Sequence, residues 1–404
     1  MSDTLDRRLG LPGSVAIGMS AMIGAGLFVV FPPAVEAAGD GLLLALGIAA
    51  FIAACNAASS ARLAARYPVS GGTYVYGRER LGPFWGYLAG WSFVAGKLAS
   101  CAAMAFALGV YLWPDHARSL AIGTVIAAVA INLFGVEKSM FVAVLIVASV
   151  VTIVVVATVL LLKGPDLPTA SADFSSGGVL HAAALLFFAF AGYARLATLG
   201  EEVRAPSRTI PRAIAVSLTL VVLIYAAAAT ALTHSLGREG LSRTTRPFVD
   251  ALDAVGHSNF VPWIQAAAAI AAGGAILSLT LGVSRTVLAM ARDGHLPHAV
   301  SIVSGTRRVP RAAEILSGAL IIVLLLIGDL GSSIAFSSFC VLIYYAIANA
   351  SAWTLPGSWP SRVIPAIGLL GCLLLALNLT MPTIGAGCVV VGIGAIFYLF
   401  RTRG

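Results

Sequence analysis

Apolar runs of about 20 residues recur along this whole chain, and a helix needs about this length to cross a bilayer. Of the 404 residues, 59% are hydrophobic and only 10% are charged. A soluble domain carries about 25% charged residues. The sequence therefore predicts an all-α integral membrane protein whose helices lie in a lipid bilayer.

Twelve runs are predicted to span the membrane, and they leave almost no chain for a soluble domain. The predicted spans are roughly 13–36, 41–63, 83–112, 118–135, 140–162, 179–200, 211–234, 258–290, 312–328, 332–354, 363–380 and 384–400. The first run is too long for the apolar region of a cleaved signal peptide and contains Pro32-Pro33. We therefore interpret it as a span.

The Lys and Arg residues between the spans predict the orientation of the chain. With both termini in the cytoplasm, most of the basic residues fall on the cytoplasmic side. The outer side then receives only Arg118, Lys163, Arg238, Arg243 and Arg246. This bias predicts a multi-pass protein of the cytoplasmic (inner) membrane. It also accounts for the net charge of +8, so no nucleic-acid partner is implied.

Motifs of enzymes and ATP-driven pumps are missing from the sequence. The nearest match to a phosphate-binding loop, WSFVAGKLAS, lacks the first glycine and the Ser or Thr after the lysine. There is no Ser/His/Asp set, and the cysteines form no CxxC. We read Cys55, Cys101, Cys340, Cys372 and Cys388 as small packing residues. No cofactor or metal is expected, and a secondary transporter is favoured over a membrane enzyme, a channel or a non-transporting sensor.

Two of the apolar runs are interrupted near their middle. Gly24-Ala25-Gly26 interrupts the first run, and Gly192 interrupts the sixth, ALLFFAFAGYARLATLGEEV. The two runs are five spans apart, as in inverted five-helix repeats, where broken helices surround a solute site at the midplane. The freed N–H groups and carbonyls can then bind solute. Close helix packing is the alternative explanation for the glycines.

Five motifs occur in a fixed order along the chain: IGAGLF, YPVSGGTYVYGRERLGPFWGYLAGW, NLFGVEKS, FFAFAGYARLATLGEEVRAPSRTIPRAI and SRTVLAMARDGHLP. With them the sequence resembles the amino acid–polyamine–organocation (APC) family of permeases, from about residue 13 to residue 354. The resemblance implies a LeuT-type fold, with ten spans as two inverted five-helix repeats and broken helices 1 and 6. It also implies transport of amino acids or related amines by proton symport, sodium symport or exchange.

The resemblance divides the chain into four parts. Residues 1–12 form the cytoplasmic N-terminus, 13–162 the first repeat with helices 1–5, and 179–354 the second repeat with helices 6–10. Two further helices follow in residues 363–400. The oligomeric state is left open.

The resemblance also implies a substrate site. The substrate carboxylate would bind the N–H groups of Gly24-Ala25-Gly26, and its amine the carbonyls of Ile23, Phe190 and Ala191. Phe190 and Tyr193 would cover the site.

One wall of this site would come from span three. Gly96, Lys97 and Cys101 lie in this span and would form the wall. The length of span three places Lys97 too deep to reach water, so it is predicted to face the interior of the bundle. Lys97 would either hold the substrate carboxylate or couple proton movement to transport. The alternative is a structural lysine that bonds to carbonyls of a broken helix.

The coupling group of the family does not carry over directly. Many proton-coupled members have a lysine in span five, whereas the matching stretch here, VASVVT, contains Ser149 and no lysine. The coupling candidates are therefore Lys97, Ser149 and Ser278, with protons or sodium as the coupled ion.

The positions of the charged residues predict the class of substrate. Charge within a membrane is rare and expensive, and only Lys97 and Arg195 are predicted to lie deep. The acidic residues Glu36, Glu201, Glu202, Glu314 and Asp329 are predicted near span ends. With no deep carboxylate to balance a basic side chain, a neutral or anionic amino acid is favoured over a cationic amino acid or polyamine. Arg195 has the alternative of pairing with Glu201 or Glu202.

The predicted orientation can be tested with single cysteines at two positions. In a cysteine-free background, Arg243→Cys should react with an impermeant maleimide from outside the cell. Arg307→Cys should react only after the membrane is opened. Labelling of both from the same side would exclude this topology.

Overall fold

The computed structural model describes residues 9–24, 26–67, 71–134, 140–165, 176–193, 196, 203–302, 310–357 and 359–401. Most of these residues lie in helices, and within them the one isolated β-bridge pairs Leu9 with Val203. The α-helices are α1 (Leu11–Met22), α2 (Gly26–Val29), α3 (Phe31–Ala38), α4 (Leu42–Arg66), α5 (Thr73–Leu81), α6 (Pro83–Leu112), α7 (Ala117–Leu133), α8 (Met140–Leu162), α9 (Ser176–Phe190), α10 (Pro206–Arg243), α11 (Pro247–Ala254), α12 (Val261–Arg292), α13 (Arg311–Ile327), α14 (Leu330–Trp353), α15 (Pro360–Leu377) and α16 (Met381–Arg401).

The helices agree with the predicted spans. Within the described residues, ten helical segments are long and apolar enough to cross a membrane. The shorter apolar stretch Ser361–Leu377 and the 17-residue helix α13 coincide with the predicted spans eleven and nine. The all-α membrane fold is thus confirmed, whereas the count of twelve spans and the inverted repeats stay predictions.

The first predicted span is broken, as its glycines indicated. Helix α1 ends at Met22, the chain bends at Gly24, and α2 begins at Gly26. A second interruption at Val30 separates α2 from α3. Pro32 and Pro33 lie in the first turn of α3, where a missing backbone N–H costs little because that group has no intrahelical acceptor.

The sixth predicted span also leaves the α-helical form near its middle. Helix α9 ends at Phe190, and the chain tightens into a 3₁₀ turn over Ala191–Tyr193. This change of helix type at Gly192 confirms the predicted break. Four residues of the predicted span and the loop after it lie outside the described residues, namely Ala194, Arg195, Glu201 and Glu202.

Helix α6 forms the centre of the bundle. It packs against α5, α7, α12, α13, α14 and α16, and it is the most deeply buried of the ten candidate spans. Helix α16, in contrast, exposes most of its apolar surface, as expected of a helix that faces lipid. Cys388 of α16 is exposed, so our reading of all five cysteines as packing residues is wrong for this one. The position of α6 places Lys97 in the interior.

Candidate functional site

The two broken helices touch through their backbones. A Cβ atom on Gly192 would overlap the carbonyl group of Ala21 in α1. On the other side of the break, a Cβ atom on Gly26 would lie 3.1 Å from the Cα of Ala189 in α9. Glycine is therefore needed at Gly192, whereas at Gly26 a Cβ atom would require Ala189 to shift by a few tenths of an ångström.

Tyr225 of α10 joins the two breaks. Its hydroxyl donates a hydrogen bond to the carbonyl oxygen of Met22 at 2.7 Å and lies 3.4 Å from that of Ala189. Its ring packs against Phe190, with centroids 5.3 Å apart. Tyr225 is fully buried, and sequence reasoning missed it because a single tyrosine in an apolar run carries no spacing signal.

Lys97 reaches the break in the sixth span. Lys97 is only 4% exposed, and its Nζ atom donates a hydrogen bond to the carbonyl oxygen of Ala191 at 3.2 Å. The hydroxyl of Tyr345 in α14 donates to the same oxygen at 3.3 Å. Lys97 therefore faces the interior of the bundle, as predicted. The ammonium group of Lys97 thus binds a carbonyl that lies at the helix break.

Aromatic side chains surround this carbonyl. Phe190 and Tyr193 are both fully buried, and the rings of Tyr193 and Tyr345 stack with centroids 5.0 Å apart. The structure therefore brings together Lys97 and the residues from Phe190 to Tyr193. It encloses them away from the protein surface.

The remaining predicted site residues take several different positions. Ile23 and Gly24 are buried at the break of the first span, and Ala25 lies outside the described residues. A Cβ atom on Gly96 would lie 2.9 Å from Val341 and 3.0 Å from Cys340, both in α14. Gly96 thus faces a packed helix and serves the close contact between α6 and α14.

The coupling candidates Ser149 and Ser278 are not brought to this carbonyl. Ser149 is exposed on α8, and its hydroxyl donates to the carbonyl oxygen of Leu145, one turn earlier, at 2.9 Å. Ser278 is half-buried on α12. Val147 and Val150 of α8 instead line a cleft against α1 and α12. Most of the cleft is apolar, so it offers few oxygen ligands to an ion.

Glu314 is a buried carboxyl near a span end. It is in the first turn of α13, as its place near a span end predicted, but it is fully buried. Oε1 accepts a hydrogen bond from Nδ2 of Asn132 in α7 at 2.6 Å, and the same Nδ2 donates to Oγ1 of Thr280 in α12 at 2.8 Å. These hydrogen bonds join the end of α7 and the start of α13 to the side of α12.

A polar cluster connects α5 to the end of α12. Arg78 donates to the Asp293 carboxylate at 2.7 Å, and the hydroxyl of Tyr74 contacts both Asp293 and, at 3.0 Å, Nδ1 of His295. Burial lowers the pKa of His295. Burial and the neighbouring Asp293 carboxylate raise the pKa of Tyr74. Parts of two of the quoted motifs, GGTYVYGRE and MARDGHLP, therefore meet in space.

A bundle of apolar helices with two broken members in contact, and a buried lysine at the break, is the architecture of a multi-pass membrane transporter. The chain belongs to the amino acid permease family, whose model matches residues 13–400. The predicted family is thereby confirmed. The prediction that the chain is not an enzyme is also confirmed, since the family and the relatives described next are transporters.

Three relatives illustrate the range of similarity. An uncharacterized transporter of Mycobacterium tuberculosis is 52% identical, over 99% of this chain and 92% of the relative. A branched-chain amino acid permease of Bacillus subtilis is 25% identical, over 99% of this chain and 94% of the relative. Cationic amino acid transporter 4 of Homo sapiens is 29% identical, over 87% of this chain and 60% of the relative.

The close backbone contact at Gly192 predicts a large effect of a single methyl group. Gly192→Ala should lower the unfolding free energy by about 2 kcal/mol or more, as overpacking of a core does, and should abolish transport. Gly123→Ala is the matched control, because a Cβ atom there meets nothing within 4 Å. Thermal unfolding in detergent and transport assays of both variants measure the effect, and equal stability of the two would refute the contact.

Proposed function

We propose that this chain is a secondary active transporter that moves neutral or anionic amino acids across the cytoplasmic membrane by alternating access. The contact of Lys97 with the carbonyl of Ala191, at the meeting point of two broken helices, is the observation that carries the proposal. The proposal includes two inverted five-helix repeats, cytoplasmic termini, and proton symport or exchange as the energy source.

Lys97 is proposed to bind the substrate carboxylate. An ammonium group has three N–H donors. One of them donates to Ala191, and among the described residues no second acceptor is bonded to Nζ. The other two donors are therefore free to bind a carboxylate, together with the backbone N–H groups of Gly24-Ala25-Gly26. The substrate amine would bind the carbonyls of Ile23, Phe190 and Ala191.

The surroundings of the site favour a substrate without a positive side chain. The side chains at the two breaks are apolar or aromatic, and Lys97 would repel a second cation. The branched-chain amino acid permease among the relatives agrees with a neutral substrate. Cationic amino acids are the alternative, in view of the cationic amino acid transporter with a similar sequence.

Uptake into proteoliposomes tests the proposed function. A panel of radiolabelled neutral, anionic and cationic amino acids would be supplied under a pH gradient and, separately, a sodium gradient. We expect saturable uptake of a neutral or anionic amino acid. This uptake should depend on the pH gradient and should not depend on the sodium gradient. Flux that does not saturate would indicate a channel, binding without uptake a sensor, and uptake confined to arginine, lysine or polyamines a cationic exchanger.

Removing the lysine separates its two predicted roles. If Lys97 binds the substrate carboxylate, Lys97→Ala should weaken binding by about 2 kcal/mol, the loss typical of a hydrogen bond to a charged group. That is roughly a 30-fold higher Kd, measured by scintillation proximity. Lys163→Ala, on an exposed turn, is the matched control. Unchanged affinity with loss of pH-driven accumulation would instead make Lys97 the coupling group.

A further inference from the structure

Three half-buried arginines lie around the connection between α14 and α15, at the end of the bundle where α4 also ends. Arg80, in the last turn of α5, donates from Nε to the hydroxyl of Thr354 at 2.8 Å and also donates to the Thr354 carbonyl oxygen. Arg62, one turn before the end of α4, donates to the carbonyl oxygen of Ser361 in the first turn of α15. Arg362 is the next residue of that turn. Three different helices therefore bring arginines to one short connection.

The connection folds back on itself, which brings its contacts with the arginines together. A Cβ atom on Gly357 would overlap the hydroxyl of Ser361 and would lie 3.6 Å from Nη2 of Arg62. Gly357 is only three residues after Thr354, to which Arg80 is bonded. The guanidinium groups of Arg62 and Arg80 therefore contact the same tight turn of the chain.

These arginines have no acidic partner among the residues that the structure describes. The ion pairs there involve other arginines, and Glu79, next to Arg80 in the sequence, lies 3.7 Å from Arg78 instead. Nε of Arg362 is buried and has no hydrogen-bond partner in that part of the chain. A half-buried cation with unbonded N–H groups is costly, and an anion lowers both parts of this cost. Like charges also repel one another, so the group that fits these arginines is negative.

The geometry of the arginines suits a phosphate group. A guanidinium group has five N–H donors in a rigid fork that matches the oxygens of a phosphate or a carboxylate. The hydrogen bonds to Thr354 and Ser361 use only some of these donors. A phosphate is tetrahedral, so its oxygens can accept from arginines of different helices, whereas the oxygens of a carboxylate lie in one plane. A phosphate therefore fits better than a carboxylate.

The surface beside the arginines is apolar and exposed. Directly after Arg362, exposed apolar side chains follow at the spacing of one face of α15. The first members of this stripe are Val363, Ile364, Ile367 and Leu370. Trp353 and Trp359, on the two sides of the connection, are exposed as well, and tryptophan is enriched at membrane interfaces. A ligand with a phosphate at the arginines and acyl chains along the stripe would contact both surfaces.

We propose that an anionic phospholipid binds at this corner of the bundle. Its phosphate binds Arg62, Arg80 and Arg362, and its acyl chains lie along the apolar stripe of α15. Arg66, exposed one turn after Arg62, adds a further positive charge beside the headgroup. The bound lipid links α4, α5 and α15 and offsets the repulsion between their arginines. The site is separate from the proposed substrate site, and it rests on the contacts of the arginines and not on the proposed function.

Lipid binding to the purified full-length protein tests the proposal. After delipidation in a neutral detergent, phosphatidylglycerol or phosphatidylcholine with the same acyl chains would be added, and bound lipid would be counted by native mass spectrometry. We expect one phosphatidylglycerol molecule to stay bound at collision energies that remove phosphatidylcholine. Phosphatidylglycerol should also raise Tm more than phosphatidylcholine does, since a ligand of the folded state stabilises it. Equal retention and equal stabilisation by the two lipids would overturn the proposal.

Soluble phosphates distinguish a lipid from another source of the same chemical group. Inorganic phosphate and glycerol 3-phosphate carry the phosphate without acyl chains. Neither should raise Tm or displace phosphatidylglycerol, because neither contacts the apolar stripe. Displacement of phosphatidylglycerol by either compound would assign the arginines to a soluble ligand and would overturn the lipid site.

Arginine variants separate a defined site from a general attraction to anionic headgroups. Arg62→Gln combined with Arg362→Gln should weaken phosphatidylglycerol binding about tenfold or more, because charge-assisted hydrogen bonds are lost. The matched control is Arg285→Gln combined with Arg292→Gln, which removes two exposed arginines near the end of α12. Arg362→Lys keeps the charge but not the fork and should also weaken binding. An equal loss of binding in the control would overturn the site.

Photo-crosslinking of the wild type makes the result independent of how well the variants fold. Phosphatidylglycerol with a diazirine in one acyl chain would be bound and irradiated, and the labelled peptides would be identified by mass spectrometry. The label should concentrate on residues 363–370 of α15. Bound lipid that labels other helices and leaves this stretch unlabelled would overturn the proposal.

Discussion

The hydrogen bonds of backbone carbonyls inside the bilayer are the constraint on which the rest of this structure depends. Lipid offers no donor, so a helix can break at membrane depth only where protein groups bind the freed carbonyls. Tyr225 donates to Met22 at the first break, and Lys97 and Tyr345 donate to Ala191 at the second. Each donor comes from a different helix. The breaks therefore hold α6, α10 and α14 around them.

Because a lysine is one of these donors, the same ammonium group can stabilise the helix break and bind a substrate. An isolated ammonium in the interior would be expensive, and a carbonyl at a helix break is one of the few partners that lowers this cost. The same arrangement leaves donors of the ammonium group unused. A substrate carboxylate bound there would replace hydration that the lysine lost on folding. In this way the group that stabilises the break would also recognise the substrate.

The sequence could predict those features that depend on one residue type or on a long pattern. The spans follow from apolar length, and the breaks follow from Gly24, Gly26 and Gly192, all of which lie in close contact with neighbouring helices. The exposed position of Ser149 was not predictable from the sequence. Helix α8 is apolar on every side, so its sequence does not show which face turns inward. Tyr225 and Tyr345 were missed for a related reason, since their roles depend on carbonyls far away in the chain.

Glu314 shows a further limit of reasoning from span ends. A residue in the first turn of a helix is expected near water, but α13 has 17 residues and packs against α12 with 32. The longer helix and its neighbours therefore cover the start of the shorter one. Helix length is visible in a sequence, but the relative depth of two helices is set by packing, so this burial could be found only in the structure.

The two ends of the bundle differ from its centre in how strongly they are held. Arg78 and Asp293 join α5 to the end of α12, and Arg238 and Asp40 join α10 to the turn after α3 at 3.1 Å. These charged groups are partly exposed, and such pairs contribute only about 0–1 kcal/mol each. The contacts at the breaks are buried, and losing one leaves an unsatisfied carbonyl at a cost of about 1–3 kcal/mol. The proposed alternating access would need ends that open at low cost around a centre that stays assembled, and this distribution of contacts would provide both.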